Sequence, residues 1–169
     1  MKFSVLLFFS LFALPSLAAS VYSDSKLPVR FTVPDGWKVR ATIADGQRAL
    51  RVIPHEADQR ERAAIEVIIS LRSLKGDQTI SEYAETQRGK SESITPLAYE
   101  WRRGRLETDY RGGRYVSGGL WIMQRTKMVL QRVDKKRLID ARCMANLTEY
   151  KTYRKALESI CKSVQVVTR

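Results

Sequence analysis

Apolar and polar residues alternate along much of this sequence, which is the pattern of half-buried β-strands. The clearest alternation runs from Ala63 to Leu71 and predicts a central strand. Turn signals separate these stretches, among them the dipeptide Asp45-Gly46, which favours a tight hairpin. Residues 20–27 are expected to form a loose leader. The predicted strands cover residues 27–33, 37–43, 48–53, 63–71, 98–102, 105–111, 114–124, 127–133, 137–145 and 164–167.

Two stretches carry helical signals. Thr79 and Glu82 have the spacing of a capping box, in which each side chain bonds the other residue's backbone N–H, and this predicts a helix over residues 80–88. A second helix is expected after Asn146 or Thr148, either of which can cap it. The apolar residues that recur there at helical spacing are Tyr150, Tyr153, Leu157 and Ile160. The pattern predicts an α+β fold, an antiparallel β-sheet flanked by one or two helices.

The N-terminal residues have the pattern of a secretory signal peptide. Lys2 precedes an apolar run over residues 5–14, and small residues lead to a cleavage position after Ala18. The run is shorter than the roughly 20 residues that a membrane-spanning helix needs, which disfavours an anchor. We therefore predict a signal peptide over residues 1–18, a single domain over residues 19–169 with no transmembrane segment, and a location in the bacterial periplasm.

The sequence contains two cysteines, Cys143 and Cys161. An even number of cysteines in an exported domain favours a disulfide bond, and two buried free thiols are the alternative. A bond between them would connect the second helix to the strand before it.

Basic residues outnumber acidic ones, with 30 Lys+Arg against 18 Asp+Glu and a formal net charge of +12. Such a field attracts anionic partners. Outside the cytosol, the candidate anionic partners are acidic proteins, anionic lipids and acidic glycans. The alternative interpretation is that the positive charge only keeps the protein soluble.

Residues 110–120 read YRGGRYVSGGL, which is similar to the arginine–glycine segments of RNA-binding tails. The stretch occurs once, however, and continues into an aliphatic run. We therefore expect no nucleic-acid binding. Gly112 and Gly113 are predicted to form the turn of a hairpin by adopting positive φ. Gly118-Gly119 is predicted to form a bulge in the next strand or to allow the close approach of another group.

The middle strands are rich in arginine interleaved with aromatic residues, a mixture favoured at protein interfaces. If these strands are neighbours, their outward side chains form one positive face, with Trp101 the aromatic residue most expected to be exposed. The alternative is that the aromatics belong to the core and the charges are solvated. The predicted partner-binding residues are Trp101, Arg102, Arg103, Arg105, Arg111, Arg114, Arg125, Lys127 and Arg132.

The residues that enzymes and metal sites require are scarce. His55 is the single histidine and has no nucleophile motif nearby, and neither phosphate-binding nor dinucleotide-binding fingerprints occur. Glu107 and Asp109 could in principle perform acid–base chemistry, but the arginines around them are expected to pair with them. We expect no catalysis, no metal and no cofactor.

In two motifs, the sequence resembles the family that groups PsbP and DcrB. One is VRFTVPDGWKV at residues 29–39, and the other is the final strand and helix that end in Ile160-Cys161-Lys162-Ser163-Val164. The resemblance implies an antiparallel sheet flanked by helices, no shared catalytic residues, and members that bind or assist other proteins. The leading hypothesis is a non-catalytic periplasmic protein that recognises an acidic macromolecule, most plausibly a protein, as a secretion accessory or toxin-immunity protein does. An envelope-associated binder of anionic lipid or glycan is the alternative, and a hydrolase is the third.

Overall fold

A computed structural model describes residues 19–56, 65–89, 91–94, 98–100, 104–116 and 119–167. The predicted signal peptide lies outside these residues. Every strand pair among them is antiparallel, which confirms the predicted α+β class. The elements, in chain order, are β1 Ala19–Ser23, β2 Val29–Pro34, β3 Trp37–Ala44, β4 Gln47–Pro54, β5 Ile65–Ser73, α1 Ile80–Arg88, β6 Glu92–Ser93, β7 Ala98–Glu100, β8 Arg105–Val116, β9 Leu120–Arg132, β10 Arg137–Asn146, α2 Leu147–Ser163 and β11 Gln165–Val166.

The strands form two sheets in the described part of the chain. The larger has the order β3-β4-β5-β10-β9-β8-β6, with β7 also paired to β8, and the smaller has the order β1-β2-β11. β10 joins the two halves of the larger sheet because it lies between β5 and β9. Asp45 and Gly46 both have positive φ, so the predicted tight turn between β3 and β4 is confirmed.

Helix α2 packs on one face of the large sheet. The β10 residues beneath it are small, Ala141, Cys143 and Ala145, and they let the helix approach closely. The predicted disulfide is confirmed: Cys143 and Cys161 are bonded, with a Cα–Cα distance of 6.2 Å. Neither helix of the described residues combines the length and apolar character needed to cross a bilayer.

Helix α1 packs on the opposite face. Its buried residues Ile80, Tyr83 and Ala84 contact a cluster from β8, β9 and β10. Thr79 and Glu82 form both bonds of the predicted capping box, and the helix has the predicted bounds.

Three sequence predictions are wrong. Residues 19–23, partly assigned to a loose leader, form β1 on β2. Residues 120–132, predicted as parts of two strands, form the single strand β9 because its pairing with β8 continues without a break. Gly112 and Gly113 do not turn the chain; they lie within β8, and Gly119, with a φ of 74°, stands at the turn instead.

Candidate partner-binding surface

The β8–β9 hairpin extends beyond the rest of its sheet. β6 pairs with β8 as far as Arg111, and β10 pairs with β9 as far as Gln124. Residues 113–116 and 120–123 form a projection, here called the hairpin arm, which pairs with no further strand among the described residues. A two-stranded ribbon has few neighbours that could bury its side chains.

Four large apolar side chains of the arm are exposed to solvent. The exposed fraction is 74% for Tyr115, 59% for Leu120, 50% for Trp121 and 38% for Met123. We call these four residues the arm patch. Side chains alternate between faces along a strand, so Trp121 and Met123 share the face of Val129, which packs with α2. Clustered exposed apolar residues mark interaction sites on soluble proteins.

The indole ring of Trp121 lies over the backbone of Gly113. A Cβ atom at position 113 would stand 2.0 Å from two ring carbons, so only glycine leaves room for this packing. Tyr115, opposite Trp121 in the ladder, meets it edge to face at 4.8 Å between ring centroids. These contacts hold Trp121 in place while half of its surface remains exposed.

Arg111 and Arg125 lie directly opposite each other at the base of the arm. The Arg125 guanidinium stands 4.4 Å from the ring centroid of Tyr150 in α2, a cation–π geometry. The Arg111 side chain is 45% exposed, and its guanidinium lies 4.0 Å from the carboxylate of Glu92. Two of the predicted partner-binding arginines therefore border the arm patch.

Lys127 is bound within the sheet rather than presented to solvent. Its Nζ lies 3.0 Å from Glu107, and its side chain is 12% exposed. Burial alone would raise the pKa of Glu107, but hydrogen bonds from Lys127 and Arg105 outweigh it and hold that pKa below its ordinary value. The predicted pairing of Glu107 with neighbouring cations is confirmed.

Arg105 requires a correction, because it is a buried structural residue rather than part of an exposed positive face. It is 5% exposed. Its guanidinium donates to the carbonyl oxygen of Val164 at 2.7 Å and to that of Cys161 at 3.2 Å, at the C-terminal end of α2. A cation there satisfies carbonyls that have no partner within the helix.

The other predicted partner-binding residues are not brought to the arm patch. Arg132 bonds the carbonyl of Lys135 in the β9–β10 turn, seven residues from Arg125, a separation of about 23 Å along an extended strand. Arg114 lies in the arm, but its side chain is outside the described set. Trp101, Arg102 and Arg103 lie outside the described residues.

The sequence pattern did not predict that the arm patch is exposed. Residues 120–123 read Leu-Trp-Ile-Met, which is typical of a core strand because both faces are apolar. One sequence feature could have indicated the exposure: the apolar run lies between two glycines and the polar pair Gln124-Arg125, so it could form the end of a hairpin that extends beyond the core.

A buried polar network lies on the opposite face of the sheet. Asp140, 1% exposed, accepts hydrogen bonds from Tyr83 at 2.9 Å and from Arg142 at 2.6 Å. Burial and the Asp140 carboxylate raise the pKa of Tyr83 above its usual range. Asp140 and Arg142 line a cavity of about 170 Å³. Arg72 lines it as well and pairs with Asp45 at 2.6 Å. Arg142 and Arg72 are thus each paired with a carboxylate. The hydrogen bond from Tyr83 of α1 to Asp140 of β10 connects the helix to the sheet. No three potential ligands among His, Cys, Asp and Glu of the described residues form a metal-binding group.

The larger antiparallel sheet, with a helix on each face, and the smaller sheet beside it form an α+β fold that solved structures share. Similar structures are cyanobacterial PsbP (CyanoP) from Synechocystis (12% identity, TM-score 0.53, 94% of this chain and 98% of that chain), LpqN, involved in cell envelope biogenesis, from Mycobacterium tuberculosis (14%, 0.53, 89% and 91%), and the Ran-binding protein Mog1p from Saccharomyces cerevisiae (12%, 0.55, 90% and 97%). These identities establish the fold alone, and at that level the predicted resemblance to PsbP is confirmed. No protein-family model matches the sequence, and no curated protein matches it significantly.

Proposed function

We propose that this protein is an exported, non-catalytic binding protein that recognises an acidic protein partner through the hairpin arm. The observation that carries the proposal is the exposure of Tyr115, Leu120, Trp121 and Met123 on one projecting hairpin. Binding or accessory roles of structurally similar proteins, such as the Ran-binding Mog1p, agree with it.

The composition of the arm and its base supports a protein partner. Trp, Tyr, Met and Arg are the residue types enriched at protein interfaces, and a few aromatic or arginine residues carry most of the binding energy there. Trp121 is also fixed before binding by Gly113 and Tyr115, which lowers the entropy lost on association.

Charge supports an acidic partner. The chain has a formal net charge of +12, and Arg111 and Arg125 stand at the base of the arm. Complementary charge accelerates association more than it fixes affinity. The secretion-accessory and toxin-immunity roles inferred from the sequence are both compatible with such a surface.

Two observations support the remaining parts of the proposal. Glu107, considered for acid–base chemistry, is held by Lys127 and Arg105 in an ion-pair cluster, which favours a structural role for it. The Cys143–Cys161 disulfide and the signal-peptide pattern of residues 1–18 support export to the periplasm.

The test compares partner capture by the wild-type protein and two variants, each expressed with its own signal peptide and a C-terminal tag. Trp121→Ala removes the centre of the arm patch. Ile43→Ala is the matched control, because Ile43 is 69% exposed on β3 at the other side of the sheet. Captured proteins are identified at about 0.15 M and at about 1 M salt. At the higher concentration, the attraction between exposed charges is screened beyond about 3 Å.

One acidic protein that is held at high salt by the wild type and by Ile43→Ala, but lost by Trp121→Ala, supports the proposal. The purified pair should then bind about 30-fold more weakly after Trp121→Ala, as expected for a hot-spot aromatic. Equal capture by Trp121→Ala overturns the role of the arm. Salt-sensitive binding to phosphatidylglycerol vesicles without any protein partner would overturn the acidic-protein proposal in favour of an envelope binder.

A further inference from the structure

The hydrogen bonds of β8 show which backbone groups of the arm face outward. The Arg132 N–H donates to the Gly104 carbonyl, which places these two residues at a hydrogen-bonded position of the β8–β9 ladder. The register continues without a bulge to Val116 opposite Leu120. Since bonded and non-bonded pairs alternate, Gly113 and Tyr115 belong to non-bonded pairs and direct their N–H and C=O groups away from β9.

The same alternation operates closer to the core. The Asp109 carbonyl, two positions before Arg111, also points away from β9, and there it accepts the N–H of Ile94. β6 pairs only with Tyr110 and Arg111, so no described strand reaches the outward groups of Gly113 and Tyr115. An unprotected edge of this kind is a template for an added strand.

A groove of about 480 Å³ lies beside this edge. Gly113, Trp121, Arg111 and Glu92 are among the residues that line it. Glycine in a strand often marks the close approach of another group, and here the Trp121 ring packs on Gly113 and Ser91 lies against Gly112. The groove therefore combines open backbone groups, an aromatic surface and a cation.

We propose that the open edge of β8 at Gly113 and Tyr115 binds an extended acidic segment of the partner protein as an added β-strand. The partner's backbone pairs with the outward groups of these two residues, its apolar side chains contact Trp121, and its carboxylates approach Arg111. This inference rests on the proposed function and specifies how the arm recognises its partner.

Charge selects an acidic segment over a second copy of this chain. Arg111 lies in β8 at the base of this edge and is exposed. A second copy of the chain would bring its own Arg111 to the same edge, where like charges destabilise pairing. An acidic strand instead replaces that repulsion with attraction.

The test uses synthetic peptides about ten residues long, enough to span about 33 Å as a strand. The probe alternates pairs of valines with pairs of glutamates, so that each face of the strand carries both residue types, because Trp121 and Arg111 lie on the same face. It carries a fluorophore for anisotropy measurements with the full mature protein. A glutamate–proline peptide keeps the charge and an extended shape but cannot form a continuous ladder. A lysine–valine peptide keeps the strand propensity and reverses the charge.

Two substitutions at one position isolate the backbone contribution. Tyr115→Ala and Tyr115→Pro both remove the aromatic ring, but only the proline removes the outward N–H. Proline is tolerated at edge positions whose N–H faces solvent, so the hairpin should persist, which near-ultraviolet circular dichroism checks.

We expect the glutamate–valine peptide to bind the wild type at least about tenfold more tightly than either control peptide. Tyr115→Pro should weaken its binding about fivefold beyond Tyr115→Ala, the effect of losing about one hydrogen bond. Equal binding of the glutamate–proline peptide, or equal affinities of the two variants, overturns strand addition. Partner capture that still depends on Trp121 in that case leaves the proposed function standing.

Discussion

The ring of Trp121 occupies the space that a side chain at position 113 would fill, with ring carbons 2.0 Å from the position of such a Cβ. Gly113 is therefore a packing residue within β8, and its role is to seat an aromatic ring on the strand backbone. The orientation of Trp121, and with it the shape of the arm patch, depends on that glycine.

Gly113→Ala should displace Trp121 from the strand. The added methyl group cannot coexist with the ring, so the ring should swing into solvent, its fluorescence should shift to longer wavelength and acrylamide should quench it more strongly. Gly112→Ala is the control, because its Cβ would meet mainly the Ser91 hydroxyl at 2.3 Å, a small group that can rotate away. Identical spectra for Gly113→Ala and the wild type would contradict this account of the arm.

Removing the disulfide should lower stability without changing the fold. The bond closes a loop with a sequence separation of 18, which corresponds to about 3 kcal/mol of chain entropy. The double variant Cys143→Ala/Cys161→Ala should melt about 10 °C lower in calorimetry. Added reductant should lower the melting temperature of the wild type and leave the double variant unchanged.

Arg105→Met should destabilise the domain far more than Arg111→Met. The first change strips donors from the buried carbonyls of Cys161 and Val164, and we expect a loss of about 3 kcal/mol in urea unfolding. Arg111 is 45% exposed, so its loss should change the free energy of unfolding by less than about 0.5 kcal/mol. Comparable losses in both variants would refute the capping role of Arg105.

Glu107 should make stability depend on acid. Its pKa lies below the ordinary 4.5 in the folded protein, so its ion pairs contribute fully above about pH 4.5 and are lost as the pH falls through the lower folded value. The free energy of unfolding of the wild type should therefore decline more steeply below that pH than that of Glu107→Gln. Parallel pH profiles for the two proteins would show that the carboxylate adds no such dependence.

The fold was largely predictable from local patterns. Strand alternation, the Asp45-Gly46 turn and the Thr79–Glu82 capping box act over a few residues, and the structure contains each of them. The pairing of Cys143 with Cys161 was predictable as well, since the chain has two cysteines.

The site was less predictable because exposure depends on distant parts of the chain. Arg105 resembles its neighbours in sequence, but the end of α2, 59 positions away at Val164, buries it. Two Gly-Gly pairs lie within ten residues. Gly112 and Gly113 lie within β8, where Ser91 and Trp121 occupy the space that their side chains would fill, whereas Gly119 stands at the turn. Such contacts leave no periodic signal.

The position of β10 has a consequence for how the domain is made. The chain is synthesised from its N-terminus, so β3, β4 and β5 emerge before β8 and β9. Among the described strands, these two blocks are joined through β10, which pairs with β5 and β9. Until residues 137–146 arrive, each block keeps an unpaired edge. A nascent or truncated chain that stops before Arg137 lacks the strand that joins the two halves of the sheet. We therefore expect such a chain to depend on chaperones and to be sensitive to proteases until the last fifth of the sequence is present.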